Sequence, residues 1–233
     1  MKTDLHSHVL AGIDDGAEDL QNTAKVLKTL SAQGITHLAL TPHYYPHLKD
    51  LDSFLKRREQ AYQALLTLPE AQAFTFSLGA EVYFTDLLFN YGDLTPLCYK
   101  GTSFMLVELQ DFERFSKATE RNLYRLMEDY GITPVFAHID RYPFLVKDLK
   151  LLSDLKGLGC LFQVNLQSFA PFLSRRYLYR LIDNGLVHFF GQDVHKIPLP
   201  TKQRNAILAR IAKKDDNLMA NIDRMAKKYI FVS

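Results

Sequence analysis

Residues 3–16 read TDLHSHVLAGIDDG. A short strand that ends on imidazoles and runs straight into a loop with two aspartates and a glycine is a unit whose recurrence decides the fold. If residues 3 to 8 are extended, side chains alternate, and His6 and His8 share one face about 6–7 Å apart along the strand. Two imidazoles at that distance can bind one metal ion. Alone, the HxH pattern is weak, because a histidine near a strand end commonly bonds a backbone carbonyl instead. The rest of the chain has to carry the reading.

Outward from this stretch, Leu20, Thr23, Ala24, Leu27 and Leu30 recur at helical spacing, and Gly34 stands where a helix usually stops. ITHLALTPH (35–43) reads as a buried strand. The alternation continues with a helix near 51–67, strands at 74–81 and 103–109, a helix at 117–130, strand TPVFAH, a helix at 145–157, strand CLFQVN, a helix at 174–184, strand LVHFFGQD and two C-terminal helices. Strands separated by helices of ten or more residues pair in parallel through right-handed crossovers. So many units in 233 residues predict closure into a barrel rather than an open sheet, and no low-complexity linker interrupts the series. In such barrels the chemistry lies where strands end and loops begin.

Composition excludes several classes. A formal charge of +2 leaves no clustered basic footprint for nucleic acid or an acidic membrane surface. Cys98 and Cys160 lie far apart with no secretory signature, which argues against a disulfide framework and for a reducing compartment. No apolar run approaches the length of a membrane span, so the expectation is a cytoplasmic protein without membrane insertion.

Ligand-type residues fall repeatedly at predicted strand ends. Strand one ends in His6 and His8, with Asp14 and Asp15 in the loop beyond; strand two ends in His43; FTFSLGAEVYF delivers Glu81; SFMLVEL ends near Glu108; TPVFAHIDR supplies His138, Asp140 and Arg141; LVHFFGQDVH finishes with Asp193 and His195. His37 and His188 lie early in their strands, away from that end, and His47 sits in the loop after His43; none of the three is expected to be a ligand. Oxygen and imidazole donors without thiolate favour Mn, Fe or Zn in a polynuclear site. Close metal pairs suit the hydrolysis of phosphate esters.

DLHSHVLAGIDDG, TPHYYP, GAEVYF, AHIDRY and QDVH together resemble the PHP (polymerase and histidinol phosphatase) superfamily, and within it the bacterial manganese-dependent tyrosine-protein phosphatases of the CpsB and YwqE type, encoded with capsular and exopolysaccharide genes. The likeness spans nearly the whole chain. It implies an α/β protein, a distorted TIM-like (β/α)7 barrel of the PHP fold, as a single domain over residues 1–233, with three metal ions at its mouth. By matching motif positions, His6, His8 and Asp193 are assigned to one ion with Glu81 as a bridge, Glu108 and His138 with Glu81 to a second, and Asp15, His43 and His195 to a third. Asp15 is also implied in catalysis. Arg141 corresponds to a phosphate-holding arginine, a role that suits the guanidinium fork; the competing reading is a salt bridge with Asp140.

The implied activity is hydrolysis of protein phosphotyrosine by metal-activated hydroxide, on the tyrosine-rich tail of a polysaccharide-biosynthesis kinase. There are departures from the family pattern. Asp140 replaces a frequent glutamate, Gln192 a usual serine, and HKIPLPTKQR offers Lys196 and Lys202 where relatives often carry a second phosphate-clamping arginine. Tyr44 and Tyr45 are expected either to pack on the substrate ring or to shape their loop. The thiol mechanism is excluded, since the arginine it needs six positions after cysteine is Phe104 after Cys98 and Leu166 after Cys160. The alternatives are a small-molecule phosphomonoesterase such as histidinol-phosphate phosphatase, a nuclease, and a non-catalytic PHP module.

Overall fold

A computed structural model of the chain describes residues 1–110 and 114–232. Its strands, in chain order, are β1 (Thr3–Asp4), β2 (His37–Leu40), β3 (His43–Tyr44), β4 (Thr75–Leu78), β5 (Glu81–Tyr83), β6 (Phe104–Glu108), β7 (Thr133–Phe136), β8 (Leu161–Asn165) and β9 (Phe189–Gly191). The helices are α1 (Leu20–Ala32), α2 (Leu51–Leu66), α3 (Lys117–Glu128), α4 (Pro143–Lys147), α5 (Leu149–Gly157), α6 (Phe172–Asp183), α7 (Thr201–Lys214) and α8 (Leu218–Tyr229). Because helices return the chain between strands, every ladder among the described residues is parallel: β1–β2–β4 on one side, β3–β5–β6–β7–β8–β9 on the other.

The two ladders are one sheet interrupted. Pro42 has no N–H to give to a ladder, so the predicted strand 35–43 breaks into β2 and β3; the strand predicted at 74–81 breaks likewise at Gly79–Ala80. Pairing is carried across the gap by Thr41 N–H to Ser7 O (3.0 Å), Gly79 N–H to Leu40 O (2.9 Å) and Glu81 N–H to Pro42 O (3.0 Å). Counted as ribbons, the strands follow one another in chain order, and the last meets the first. Leu5 N–H donates to Phe190 O (3.2 Å), Asp193 N–H to His6 O (2.9 Å) and His8 N–H to Val194 O (2.7 Å), with a parallel bridge between Ser7 and Val194. The expected seven-unit barrel is borne out. Its distortion has a visible source: the β5–β6 connection carries only the 3-10 turns Asp86–Asn90 and Thr95–Leu97 instead of a helix.

Alternation along the ribbons separates two apolar layers. Leu38, Leu40, Val107, Phe136, Phe162, Val164 and Phe190 join the main core with the helices. Their neighbours Ala39, Leu106, Val135, Ala137 and Phe189 form a smaller cluster with Leu5, Tyr99, Ala226 and Ile230, the filling of the barrel interior. Asp223 of α8 ties this end shut, accepting from Lys2 N–H (2.9 Å) and from Thr3 Oγ1 (2.7 Å). Polar inward-facing residues are thereby left to the opposite end, where the strands finish.

Local chemistry sets the helix limits. Asp19 accepts from Asn22 N–H (2.7 Å) to start α1 and Ser116 from Thr119 N–H (3.0 Å) to start α3. The single helix expected at 145–157 is two, because Asp148 turns to accept from Leu151 N–H (3.0 Å) and begins α5 afresh.

Candidate metal centre

Six ribbons deliver side chains to one end of the barrel. His6 and His8 come from the first, His43 and Glu81 from β3 and β5, Glu108 from the end of β6, His138 from just beyond β7, and Asp193 and His195 from just beyond β9. Asp15 enters from the loop after the first strand. All nine residues predicted as ligands converge. Three groups of donors lie close enough to share an ion: His6, His8 and Asp193; His43, Glu81 and Glu108; and His8, Asp15, His43 and His195.

The first group is the tightest. His6 Nε2 and His8 Nε2 are 3.0 Å apart, Asp193 Oδ1 lies 3.5 and 3.4 Å from them, and Glu81 Oε2 lies 3.1 and 3.3 Å from them. Nitrogen and oxygen ligands held about 2.0–2.2 Å from one ion are separated by about 3.0–3.5 Å from each other, so these spacings match the edges of a coordination shell. Glu81 Oε2 is the sharper observation. It is buried, it has three imidazole nitrogens around it (His43 Nδ1 at 3.0 Å is the third), and it makes no hydrogen bond to any of them. A buried carboxylate oxygen left unpaired is costly; lone pairs of carboxylate and imidazoles aimed at a common point are what a divalent cation satisfies. The donor set therefore fits a metal.

The ring tautomers are fixed from behind. His6 Nδ1 faces Gln163 Oε1 (3.2 Å), His8 Nδ1 faces Asp14 Oδ2 (2.8 Å) and His195 Nδ1 faces the Asp193 carbonyl (3.0 Å), all acceptors, so Nδ1 is the nitrogen that keeps its proton and Nε2 the one free to serve a cation. Gln163 Oε1 also accepts from His138 N–H (2.7 Å), Gln163 Nε2 donates to Asn165 Oδ1 (2.8 Å), and Asn165 Nδ2 donates to Asp193 Oδ2 (3.1 Å). One β8 network thus orients donors from three other ribbons. Asp14 does as much on the other flank, accepting from Gly16 N–H (2.9 Å) and His43 N–H (3.0 Å).

Close approach explains two glycines. A Cβ on Gly16 would stand 2.0 Å from the His8 carbonyl oxygen, and one on Gly191 would stand 2.6 Å from His6 Cβ and 2.8 Å from Gln163 Nε2. Backbone strain gathers here too. His138 (φ 30) and Asp193 (φ 50) are the non-glycine residues with positive φ among the described residues.

Electrostatics follow from crowding. Burial alone would depress the His6 and His8 ring pKa values. For His6 the Glu81 and Asp193 charges, and for His8 the carboxylates of Asp14, Asp193 and Glu81 set against its ring nitrogens, outweigh it, and both rings are raised. Burial pushes Glu81 and Asp193 up, yet the His6 charge and the other imidazoles set against them hold both well below the carboxylate range. Glu108 goes the other way, raised by burial and the neighbouring Glu81 charge.

Several expectations change. In the implied second group His138 lies 2.8 Å from Glu81 Oε1 but 3.7 Å from Glu108 Oε1, and His43 joins Glu81 and Glu108 instead; His8 faces two groups. Arg141 does not pair with Asp140. Its Nη2 donates to Asp193 Oδ2 at 2.5 Å with the side chain 47% exposed, while Asp140 accepts from Asn165 N–H (2.8 Å) and Ser168 Oγ (2.6 Å). Tyr44 is not on the substrate side: it is fully buried against Phe54, and Tyr45 is the ring that stacks on His43. Lys196 is engaged by Glu18 across the mouth. His37 packs edge-on to Phe231, and buried His188 accepts from Phe162 N–H (3.1 Å), its pKa pulled down to about 4 by burial, in keeping with their exclusion as ligands. Gln163, Asn165 and the role of Asp14 were not foreseen, although two polar residues alternating on the apolar strand CLFQVN are a period-two signal of an inward polar face.

A family model described as capsular polysaccharide synthesis, CpsB/CapC, matches residues 2–226. The tyrosine-protein phosphatase CpsB of Streptococcus pneumoniae is 26% identical over 227 residues, covering 91% of this chain and 90% of its own. The tyrosine-protein phosphatase YwqE of Bacillus subtilis is 24% identical, with 83% and 77% covered. Among solved structures, one from work on YwqE from Bacillus subtilis and CpsB from Streptococcus pneumoniae, described as unique metal-dependent tyrosine phosphatases, superposes with a TM-score of 0.75 at 22% identity, covering 97% of this chain and 95% of that one. The phosphotriesterase homology protein from Escherichia coli, complexed with phosphate, gives 0.55 at 13% identity with 98% of both chains covered. Both likenesses concern the fold.

Proposed function

The chain belongs to the capsular polysaccharide synthesis CpsB/CapC family, and from that premise we propose that it is a metal-dependent protein-tyrosine phosphatase, a single PHP-type domain acting on a tyrosine-rich tail of a polysaccharide-synthesis kinase in the cytoplasm. No helix among the described residues is long and apolar enough to cross a membrane. The observation that carries the reading is Glu81 Oε2, buried and unbonded among three imidazole nitrogens at the end of the barrel.

The assignment of residues is ours. His6, His8 and Asp193 would hold one cation; Glu81, Glu108 and either His138 or His43 would hold a second; and Asp15, His43 and His195 would hold a third. Our assignment is Mn, and Fe and Zn accept the same donors. Bound divalent ions supply Lewis acidity and a low-pKa water. The protein's part is positional. Asp14, Gln163 and Asn165 fix the ring and carboxylate orientations. Arg141 uses one nitrogen on Asp193 and presents the rest of its fork to the phosphate oxygens. Asp15, 72% exposed and 3.4 Å from His195 Nε2, stands at the entrance where the ester arrives. A phenol, with its pKa near 10, is a readier leaving group than an alkyl alcohol.

The test is turnover of a phosphotyrosine peptide after chelation and re-addition of Mn, Fe or Zn, repeated for His6→Ala and Arg141→Ala. His6→Ala abolishes turnover with loss of bound metal; Arg141→Ala keeps its metal and raises KM. Histidinol phosphate or a nucleotide outperforming the peptide overturns the tyrosine assignment. Purified protein with no Mn, Fe or Zn near stoichiometry overturns the metalloenzyme.

A further inference from the structure

We infer that the cavity beside His43 is an aryl subsite, which receives the ring of the phosphorylated tyrosine and confers preference for aryl over alkyl phosphate esters. The inference rests on the phosphatase reading above. The cavity measures about 270 Å³ and is lined by apolar Ile13, Tyr45 and Leu48 and by polar Asp14, Asp15, His43 and Lys49. Apolar cavities of about 150 Å³ take benzene, so a phenol ring with its Cβ is accommodated. Asp15 and His43 belong also to the donor group completed by His8 and His195, so a ring in the cavity leaves its ester oxygen beside the proposed cations.

Tyr45 is already set as a wall. Its ring stacks on His43 with centroids 5.1 Å apart and planes at 27°, and Tyr83 (5.5 Å) and His47 (5.9 Å) flank it, themselves 5.6 Å apart. The register of β3 on β5, with His43 opposite Glu81 and Tyr44 opposite Val82, is what brings Tyr45 to Tyr83. A ring held by three others contributes aromatic contact with little rotamer entropy left to lose. Leu48, 67% exposed, is otherwise an unexplained apolar residue at the surface; as the outer wall it has an occupant to cover it. A phosphoserine side chain has no ring to place between these walls.

The experiment compares wild type, Tyr45→Ala, Tyr45→Phe and Leu48→Ala on phosphotyrosine and phosphoserine peptides of one sequence. It also measures calorimetric affinity for an aryl and an alkyl phosphonate, and the metal content of every variant. The expected result is a fall in the aryl-to-alkyl ratio of kcat/KM of about 5- to 10-fold in Tyr45→Ala and about 2- to 3-fold in Leu48→Ala, through KM, with Tyr45→Phe close to wild type. The phosphonate ratio moves in step. Ratios unchanged in both alanine variants, or both peptides losing equally, overturn the subsite. If Tyr45→Ala sheds metal because His43 has lost its stacking partner, Leu48→Ala, which has no ring contact with His43, decides. If metal-loaded wild type cleaves neither peptide, the phosphatase reading falls; the phosphonates then judge the subsite alone, and equal binding of the two overturns it.

Discussion

Replacing Asp14 by asparagine leaves every proposed ligand in place and still weakens metal binding. The Asp14 carboxylate accepts three hydrogen bonds, from His8 Nδ1 (2.8 Å), His43 N–H (3.0 Å) and Gly16 N–H (2.9 Å), and its side chain is 4% exposed. An asparagine offers one acceptor where two oxygens are used. If its oxygen faces His8 and His43, its amino group meets the Gly16 N–H; turned over, it meets two donors. His8 therefore loses either the charge of its partner or the partner itself, and with it part of the force that keeps the proton on Nδ1 and the lone pair on Nε2. Removing a carboxylate that orients a ligating histidine typically weakens metal affinity about 10- to 100-fold, or about 1.4–2.7 kcal/mol. Burial excludes the smaller figures that apply to surface pairs. Competition with a chromophoric chelator reads the change, with melting of the metal-free protein recorded alongside to follow the loop. An affinity within twofold of wild type in a folded variant would refute the orienting role.

Other outcomes follow from the same coordinates. His6 and His8 are raised above the unfolded value of about 6.5, so in the metal-free protein they stabilise the fold fully below pH 6.5 and that contribution is lost as pH rises through their folded pKa values; metal-free melting temperature falls as pH rises above about 6.5, metal binding at pH 7 releases protons measurable by calorimetry in two buffers, and a flat profile with no proton release contradicts the cluster. Gly191→Ala costs about 1–3 kcal/mol, roughly 2–12 °C in melting temperature, because His6 and Gln163 leave no room for the methyl group; Gly92→Ala, which meets nothing within 4 Å, is the near-neutral control, and equal losses would sink the packing argument. Cys98 and Cys160 are buried, which pushes both thiols up to about 12, so iodoacetamide leaves the native enzyme active; inhibition that tracks labelling of either thiol would reinstate a cysteine mechanism.

How much of this was legible depended on whether the cause was local. Strand–helix alternation and the ligand types at strand ends are properties of short windows, and they led to the parallel barrel and to all nine converging residues. What the sequence concealed depended on partners far along the chain. Tyr44 and Tyr45 are adjacent and chemically identical; only the pleat of β3 sends the first into the core against Phe54 and the second over His43. Arg141 is next to Asp140 in sequence, but the turn Ile139–Arg141 points Asp140 back to Asn165 and Ser168 and leaves the guanidinium to Asp193, 52 residues away. His43 bears donors on both ring edges, Nδ1 at Glu81 and Nε2 at Asp15, so motif order could not decide which cation it serves.

The charge arrangement gives the barrel mouth its physical logic. Glu81, Glu108 and Asp193 are brought together out of water, and such a group holds charge only if something positive is supplied. In the metal-free molecule that is the Arg141 guanidinium and protons kept on His6 and His8 against the pull of burial. Each of those protons occupies a ring that is itself a donor for a cation. Proton and metal therefore compete for the same balancing role, and the strained backbone at His138 and Asp193, about 1–3 kcal/mol each, is held by the Gln163 side chain and the His6 carbonyl whichever of them is bound. The helix-covered face supplies the stability and the inward polar face draws on it. A substitution in the network behind the ligands is thus expected to show in metal affinity before it shows in folding.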